Sequence, residues 1–90
     1  MSPELKVKWI AALRSGEYTQ CFGVYYLYSY PIAGGGPVTC RYCPLGVLLK
    51  IGGVQAIESL PPDVVAYLID RNDRARWSFA RLADVIEVAL

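Results

Sequence analysis

The residues with the most definite chemistry are Cys40 and Cys43, a Cys-x-x-Cys pair. Such a pair can act as a redox couple when a helix N-terminus stabilises one thiolate, or it can supply two metal ligands. Cys21 would then be the third ligand, and because the chain has no histidine, a fourth would have to be a carboxylate, water or another chain. Buried cysteine also serves as a small apolar side chain. We therefore predict no metal and no other cofactor, with Cys21, Cys40 and Cys43 as ligands if a metal is bound.

A second group of residues has the composition of a binding surface. Four arginines lie within the eleven residues 71–81, around Trp77, and arginine beside an aromatic ring suits phosphates and unstacked bases. The alternative is a solvated loop whose arginines pair with nearby aspartates. The candidate binding residues are Tyr26, Tyr28, Tyr30, Arg71, Asn72, Asp73, Arg74 and Arg76.

The sequence offers little for catalysis. Histidine, which is the commonest general base and the usual partner of a Ser or Cys nucleophile, is absent. No close pair of carboxylates lies in an apolar context, and the glycine run 34–36 lacks the Lys-Ser that follows in a phosphate-binding loop. We predict that the protein is not an enzyme.

Composition predicts one folded domain over residues 1–90. Hydrophobic residues make up 54% of the chain, charged residues 19%, and the formal net charge is +1, which argues against disorder and does not require a polyanionic partner. No run reaches the roughly 18–20 apolar residues of a membrane span, so no membrane partner is expected. Because the N-terminus lacks a secretion signal and the number of cysteines is odd, we expect a reduced, cytoplasmic protein.

The first half of the chain predicts a helix and a β-hairpin. Ser2, Pro3 and Glu4 form a helix start, and the apolar stripe that follows gives a helix over 3–15. Dense aromatic and β-branched residues predict strands at 20–30 and 38–42, joined by the glycine run 34–36. The sequence leaves open whether this ribbon packs only on helices or also forms a homodimer.

The second half predicts three short helices. The first covers 44–51 and stops at Gly52 and Gly53, with Gly46 accommodating a close neighbour. A linker, 54–60, with room for one helical turn, then leads to a helix at 62–69 and a polar turn at 70–73. The last helix is capped by Ser78 and ends near 89. The predicted fold is therefore α+β: an N-terminal helix, a β-hairpin and three helices in one core. The core residues are Trp9, Leu13, Leu45, Leu48, Leu49, Val65, Leu68, Phe79, Leu82 and Ile86.

Several of these motifs together resemble small proteins of bacteriophages and prophages. They comprise a W-x3-L-R-S-G-x-Y-x-Q motif beginning at Trp9, a C-x-L-G-V-L motif beginning at Cys43, Leu60-Pro61, Asn72-Asp73 and an amphipathic C-terminal helix. The chain departs from that pattern at Tyr42 and Leu49, where related proteins often carry cysteines.

The resemblance implies a phage-type accessory protein. With the small size and the lack of catalytic groups, it leads us to expect a protein that binds a host protein, for example as an inhibitor of a defence or metabolic complex. The alternative is a nucleotide- or nucleic-acid-binding module that uses the arginines of 71–81 and the hairpin tyrosines.

Overall fold

The structure is a computed structural model that describes residues 1–29 and 39–90. In these residues it contains four helices and a small sheet, so the predicted α+β class is confirmed. Tyr30 and the glycine run 34–36 lie outside the described residues. The elements are α1 (Pro3–Arg14), β1 (Thr19–Gln20), β2 (Tyr26–Ser29), β3 (Thr39–Tyr42), α2 (Pro44–Glu58), α3 (Pro62–Asp73) and α4 (Phe79–Ala89).

Helix α1 begins as the sequence predicts. The Ser2 hydroxyl accepts a hydrogen bond from the Leu5 amide at 3.2 Å, and Pro3 occupies the first turn, where its missing N–H costs no helical bond. The fully buried Trp9 donates from Nε1 to the Pro44 carbonyl at 2.8 Å. This bond ties α1 to the start of α2.

The predicted hairpin is present but shorter. Strands β2 and β3 are antiparallel, with Tyr26 opposite Tyr42 and Leu27 opposite Arg41. The prediction of one continuous strand over 20–30 is wrong, because residues 21–25 leave the sheet, with Gly23 at φ 83°. Strand β1 pairs with β3 in parallel instead, giving the order β1-β3-β2.

Helix α2 runs past its predicted end. Gly53 has φ 75° and ψ −178°, which interrupts the helix, but helical structure resumes and continues to Glu58. The prediction of a linker over 54–60 is therefore wrong except for the one helical turn that it allowed. The second part persists because Ala56 and Leu60 are buried in the core, so tertiary packing outweighs the local break.

Helix α3 is also longer than predicted. The polar residues 70–73 form its last turn rather than a free turn, and the Arg74 amide donates to the Asp70 carbonyl at 2.9 Å. Helix α4 begins where predicted, since the Ser78 hydroxyl accepts from the Arg81 amide at 3.3 Å.

The core lies between the helices, with α1 packed on both α4 and α2. Of the ten predicted core residues, all but two are buried, and Leu49 and Val65 are half-buried. In the described part of the chain, no helix combines the length and the apolar character that crossing a bilayer requires.

Candidate protein-binding surface

The loop that replaces the predicted strand is held by backbone bonds at both ends. The Cys21 amide donates to the Tyr42 carbonyl at 2.8 Å, and the Cys43 amide donates to the Tyr25 carbonyl at 2.9 Å. The Asn72 side chain adds a third bond, from Nδ2 to the Cys21 carbonyl at 3.0 Å. Residues 21–25 are thus fixed to the end of β3 and to α3.

This anchoring leaves a run of large apolar side chains at the surface. We call residues 22–27 the apolar segment. Its five non-glycine side chains are each between 37% and 48% exposed: Phe22, Val24, Tyr25, Tyr26 and Leu27. Single exposed apolar residues are ordinary on protein surfaces, whereas exposed apolar residues in number are typical of an interaction site. Tyr26 and Leu27, consecutive in β2, present theirs on opposite faces of the sheet.

The Asn72 side chain holds the start of the loop that carries this segment. It is 0% exposed, and its Oδ1 accepts from Gln20 Nε2 at 2.6 Å while its Nδ2 donates to Asp73 Oδ1 at 2.8 Å as well as to Cys21. Gln20 Nε2 also donates to the Trp77 carbonyl at 2.7 Å. A buried amide must have its hydrogen bonds satisfied. The candidate binding residue Asn72 therefore lies inside the fold, and Asp73 is half-buried beside it.

Two of the candidate arginines are engaged by one aspartate. Arg71 Nη1 lies 3.2 Å from Asp70 Oδ2, and Arg74 Nε lies 3.7 Å from Asp70 Oδ1. The Arg71 guanidinium also lies over the rings of Tyr67 and Trp77, at 4.9 and 5.3 Å from their centroids. Arg71 is therefore held against Asp70, Tyr67 and Trp77, whereas the Arg74 side chain is exposed.

Arg76 joins the arginines to the apolar segment. Its guanidinium carbon lies 4.4 Å from the centroid of the Phe22 ring, and its backbone adopts φ 53°, in the left-handed region that non-glycine residues rarely occupy. Arg81 lies 3.7 Å from the Trp77 ring in a similar stack. Such stacking holds a planar guanidinium in place while leaving N–H donors for a partner.

The candidate tyrosines belong to β2 or follow it. Tyr26 is exposed within the apolar segment, and the backbone of Tyr28 pairs with Cys40. Tyr30 lies outside the described residues. On the neighbouring strand, Tyr42 Oη accepts from Lys50 Nζ at 3.1 Å.

The three cysteines are free thiols. Cys43 caps α2, where its Sγ accepts from the Gly46 amide at 3.4 Å, yet burial raises its pKa from 9.0 to about 11. Burial also raises the pKa of Cys21. Both groups are therefore neutral thiols near pH 7. Across residues 1–29 and 39–90, no three Cys, Asp or Glu side chains are arranged to hold a metal ion.

The sequence does not identify all residues of this surface. Phe22, Val24, Tyr25 and Leu27 are not among the candidate binding residues, because a strand that is apolar on both faces does not indicate which side chains are exposed. No protein-family model, curated protein or solved structure matches the chain significantly.

Proposed function

We propose that the chain is a small, non-enzymatic accessory protein of phage or prophage type that binds a host protein in the bacterial cytoplasm through the apolar segment. Inhibition of a defence or metabolic complex is the form of activity that the motif resemblance implies. The observation that supports this proposal is the exposure of Phe22, Val24, Tyr25, Tyr26 and Leu27 on a backbone fixed by hydrogen bonds.

Pre-organisation is the first physical reason for this proposal. Ordering a loop during association opposes binding, and a loop that is already ordered avoids that loss. Here three hydrogen bonds fix the backbone of 21–25 before any partner arrives. The exposed side chains can therefore contribute their burial to affinity.

Composition is the second reason. Protein interfaces are enriched in Tyr, Phe and Arg, and the residues that dominate binding energy are commonly large aromatic anchors. The apolar segment supplies Phe22, Tyr25 and Tyr26, and Arg76 borders it.

The test is affinity capture from a bacterial lysate with substituted baits. Val24→Asp introduces a charge into the apolar segment, and Val54→Asp makes the same change on α2, at a valine that is 60% exposed compared with 47% for Val24. We expect the wild-type chain and Val54→Asp to retain the same host protein and Val24→Asp to lose it. A partner retained equally by all three baits would contradict the proposal.

A second candidate function, nucleotide or nucleic-acid binding, is favoured by one observation: Arg81 stacks 3.7 Å from the Trp77 ring, an arrangement suited to a phosphate beside a base. This function requires affinity that falls steeply with salt and is lost when Arg74 and Arg76 are both changed to glutamine. Fluorescence anisotropy with a labelled oligonucleotide measures both properties. Binding that is insensitive to these changes would contradict it.

A further inference from the structure

Three cations lie beside residues of the apolar segment, two of them on opposite faces of the sheet, because consecutive strand residues such as Tyr26 and Leu27 point to opposite faces. Arg41 lies opposite Leu27 in the sheet register and is exposed. Lys50 Nζ donates a hydrogen bond to the Tyr42 hydroxyl. Tyr42 is the cross-strand partner of Tyr26 in the apolar segment, and Tyr26, Tyr42 and Lys50 line one surface depression. The third cation is Arg76, stacked on the Phe22 ring at 4.4 Å.

Within residues 1–29 and 39–90, these cations are in no ion pair with an acidic side chain. The undescribed residues 30–38 contain no charged side chain, and none of the ion pairs of the described residues involves Arg41, Lys50 or Arg76. Asp73 is a carboxylate close to the apolar segment, because it lines a small depression with Gly23 and Val24.

Asp73 is in no ion pair with Arg41, Lys50 or Arg76. Its carboxylate is half-buried and accepts a hydrogen bond from Asn72. Asp84 and Glu87 are paired with Arg14, at 2.6 and 2.8 Å. Arg41, Lys50 and Arg76 therefore place three positive charges beside the apolar segment, and none of them is in an ion pair with a described carboxylate.

We infer that the apolar segment binds in an apolar cleft of a protein whose two walls carry Asp and Glu carboxylates. This inference rests on the proposed function and specifies the partner's chemistry. Carboxylates on the two walls would satisfy the guanidinium and ammonium donors of Arg41, Lys50 and Arg76 while the cleft covers the apolar side chains on both faces of the sheet. Complementary charge of this kind directs orientation and accelerates association.

The charge pattern disfavours a second copy as the occupant. In a two-fold symmetric dimer the same patch meets itself, so the positive charges beside one apolar segment would face those beside the other. Like charges opposed across an interface are unfavourable. The homodimer that the ribbon suggested is for this reason not the partner we infer.

The side chains also disfavour nucleic acid on this surface. Single strands bind by stacking their bases on aromatic rings along a basic groove. Val24 and Leu27 are exposed among the aromatics, and an aliphatic side chain offers no stacking face. A cleft of a folded protein can cover both kinds of side chain.

The experiment uses a random peptide library displayed on phage and selected on the immobilised full-length chain. We expect the selected peptides to combine apolar residues with flanking Asp and Glu. A synthetic copy of one selected peptide then serves as the probe in fluorescence anisotropy. Changing both Arg41 and Arg76 to glutamate should weaken its binding at least about tenfold, whereas Lys8→Glu on exposed α1 should change it less than about twofold.

The other possible results overturn either the inference alone or the proposed function as well. Selected peptides with no acidic preference, lost on Val24→Asp but unaffected by the arginine changes, overturn the inference and leave the proposed function standing. Peptide binding that survives Val24→Asp overturns both. Dimerisation through the segment, measured by sedimentation and abolished by Val24→Asp, assigns the surface to a second copy. Preferential binding of oligo(dT) over the peptide assigns it to nucleic acid, and either assignment overturns the inference.

Discussion

Asn72 connects three separate parts of the chain through one buried side chain. Its amide bonds Gln20 at the end of β1, the Cys21 carbonyl in the loop and Asp73 on its own helix. Replacing it removes the donor to the Cys21 carbonyl in a buried site, whereas Gln20 keeps its bond to the Trp77 carbonyl and Asp73 is half-buried. An unsatisfied buried group costs more than an ordinary hydrogen bond contributes.

We therefore expect Asn72→Ala to lower the free energy of unfolding by about 1–3 kcal/mol, the cost of one buried group left unpaired. Urea denaturation followed by circular dichroism measures the change. Gln55→Ala on exposed α2 is the control, with an expected effect within about 0.5 kcal/mol. Equal stability of the two variants would show that the Asn72 network is dispensable.

The Cys43 thiol gives a prediction for pH dependence. Its pKa is about 11 in the folded protein and 9.0 without the burial, so above pH 9 the unfolded chain releases a proton that the folded chain retains. The free energy of unfolding therefore contains a contribution that is fully present below pH 9 and is lost as the pH rises through about 11.

Cys43→Ser isolates this contribution, because serine is also a good N-cap residue and does not titrate. The difference in unfolding free energy between the wild-type chain and Cys43→Ser should shift against the wild type between pH 9 and pH 11. Denaturation series at several pH values measure it. A difference that stays constant across this range would rule out the raised pKa.

At the scale of elements, Gly46 determines how the apolar segment meets α2. A Cβ at this position would overlap the Tyr25 carbonyl oxygen, which accepts the Cys43 amide. The close approach expected at Gly46 is thus confirmed, with a backbone as the neighbour. The carbonyl cannot move away without breaking the bond that anchors the loop.

Gly46→Ala tests this contact through the sign of its effect. Helix propensity alone would stabilise the variant by about 1 kcal/mol, whereas overlap with a fixed backbone costs about 1–3 kcal/mol. We expect a net loss of stability and faster amide exchange at Cys43, the donor to Tyr25. Thermal unfolding and hydrogen exchange measure the two effects. A raised melting temperature would mean that the loop is free to move.

The elements differ in how far local sequence predicts them. Helix α4 was predicted from Ser78 and the apolar spacing after it, because both signals are local. The extension of α3 through Asn72 depends on the distant Cys21 carbonyl, and the persistence of α2 beyond Gly53 depends on burial of Ala56. A single sequence shows the polar residue or the glycine but not the contact that overrides it.

At the scale of the whole molecule, the same limit applies to the candidate surface. The arginines and tyrosines were identified from residue type alone. The stack of Arg76 on Phe22 joins residues more than fifty positions apart, and the exposure of Val24 results from bonds to β3 and α3. The sequence therefore supplied the components of the surface, whereas the fold determined which of them lie together.

The core and the proposed surface share few side chains, so stability and binding should be separable. Leu48 is fully buried in α2, and Leu48→Ala should lower the free energy of unfolding by about 2–5 kcal/mol. Val24→Asp changes an exposed side chain and should lower it by less than about 1 kcal/mol.

Binding should follow the opposite order. At a temperature where Leu48→Ala remains folded, its apolar segment is intact, and we expect it to bind the selected peptide within about twofold of the wild-type chain. Val24→Asp places a charge where the peptide's apolar residues are buried, and we expect at least about a tenfold loss of affinity, because an unpaired buried charge is costly. Denaturation and anisotropy on the same preparations measure both quantities. If Leu48→Ala lost binding while still folded, the segment would depend on core packing, and its pre-organisation could not be ascribed to the three hydrogen bonds alone.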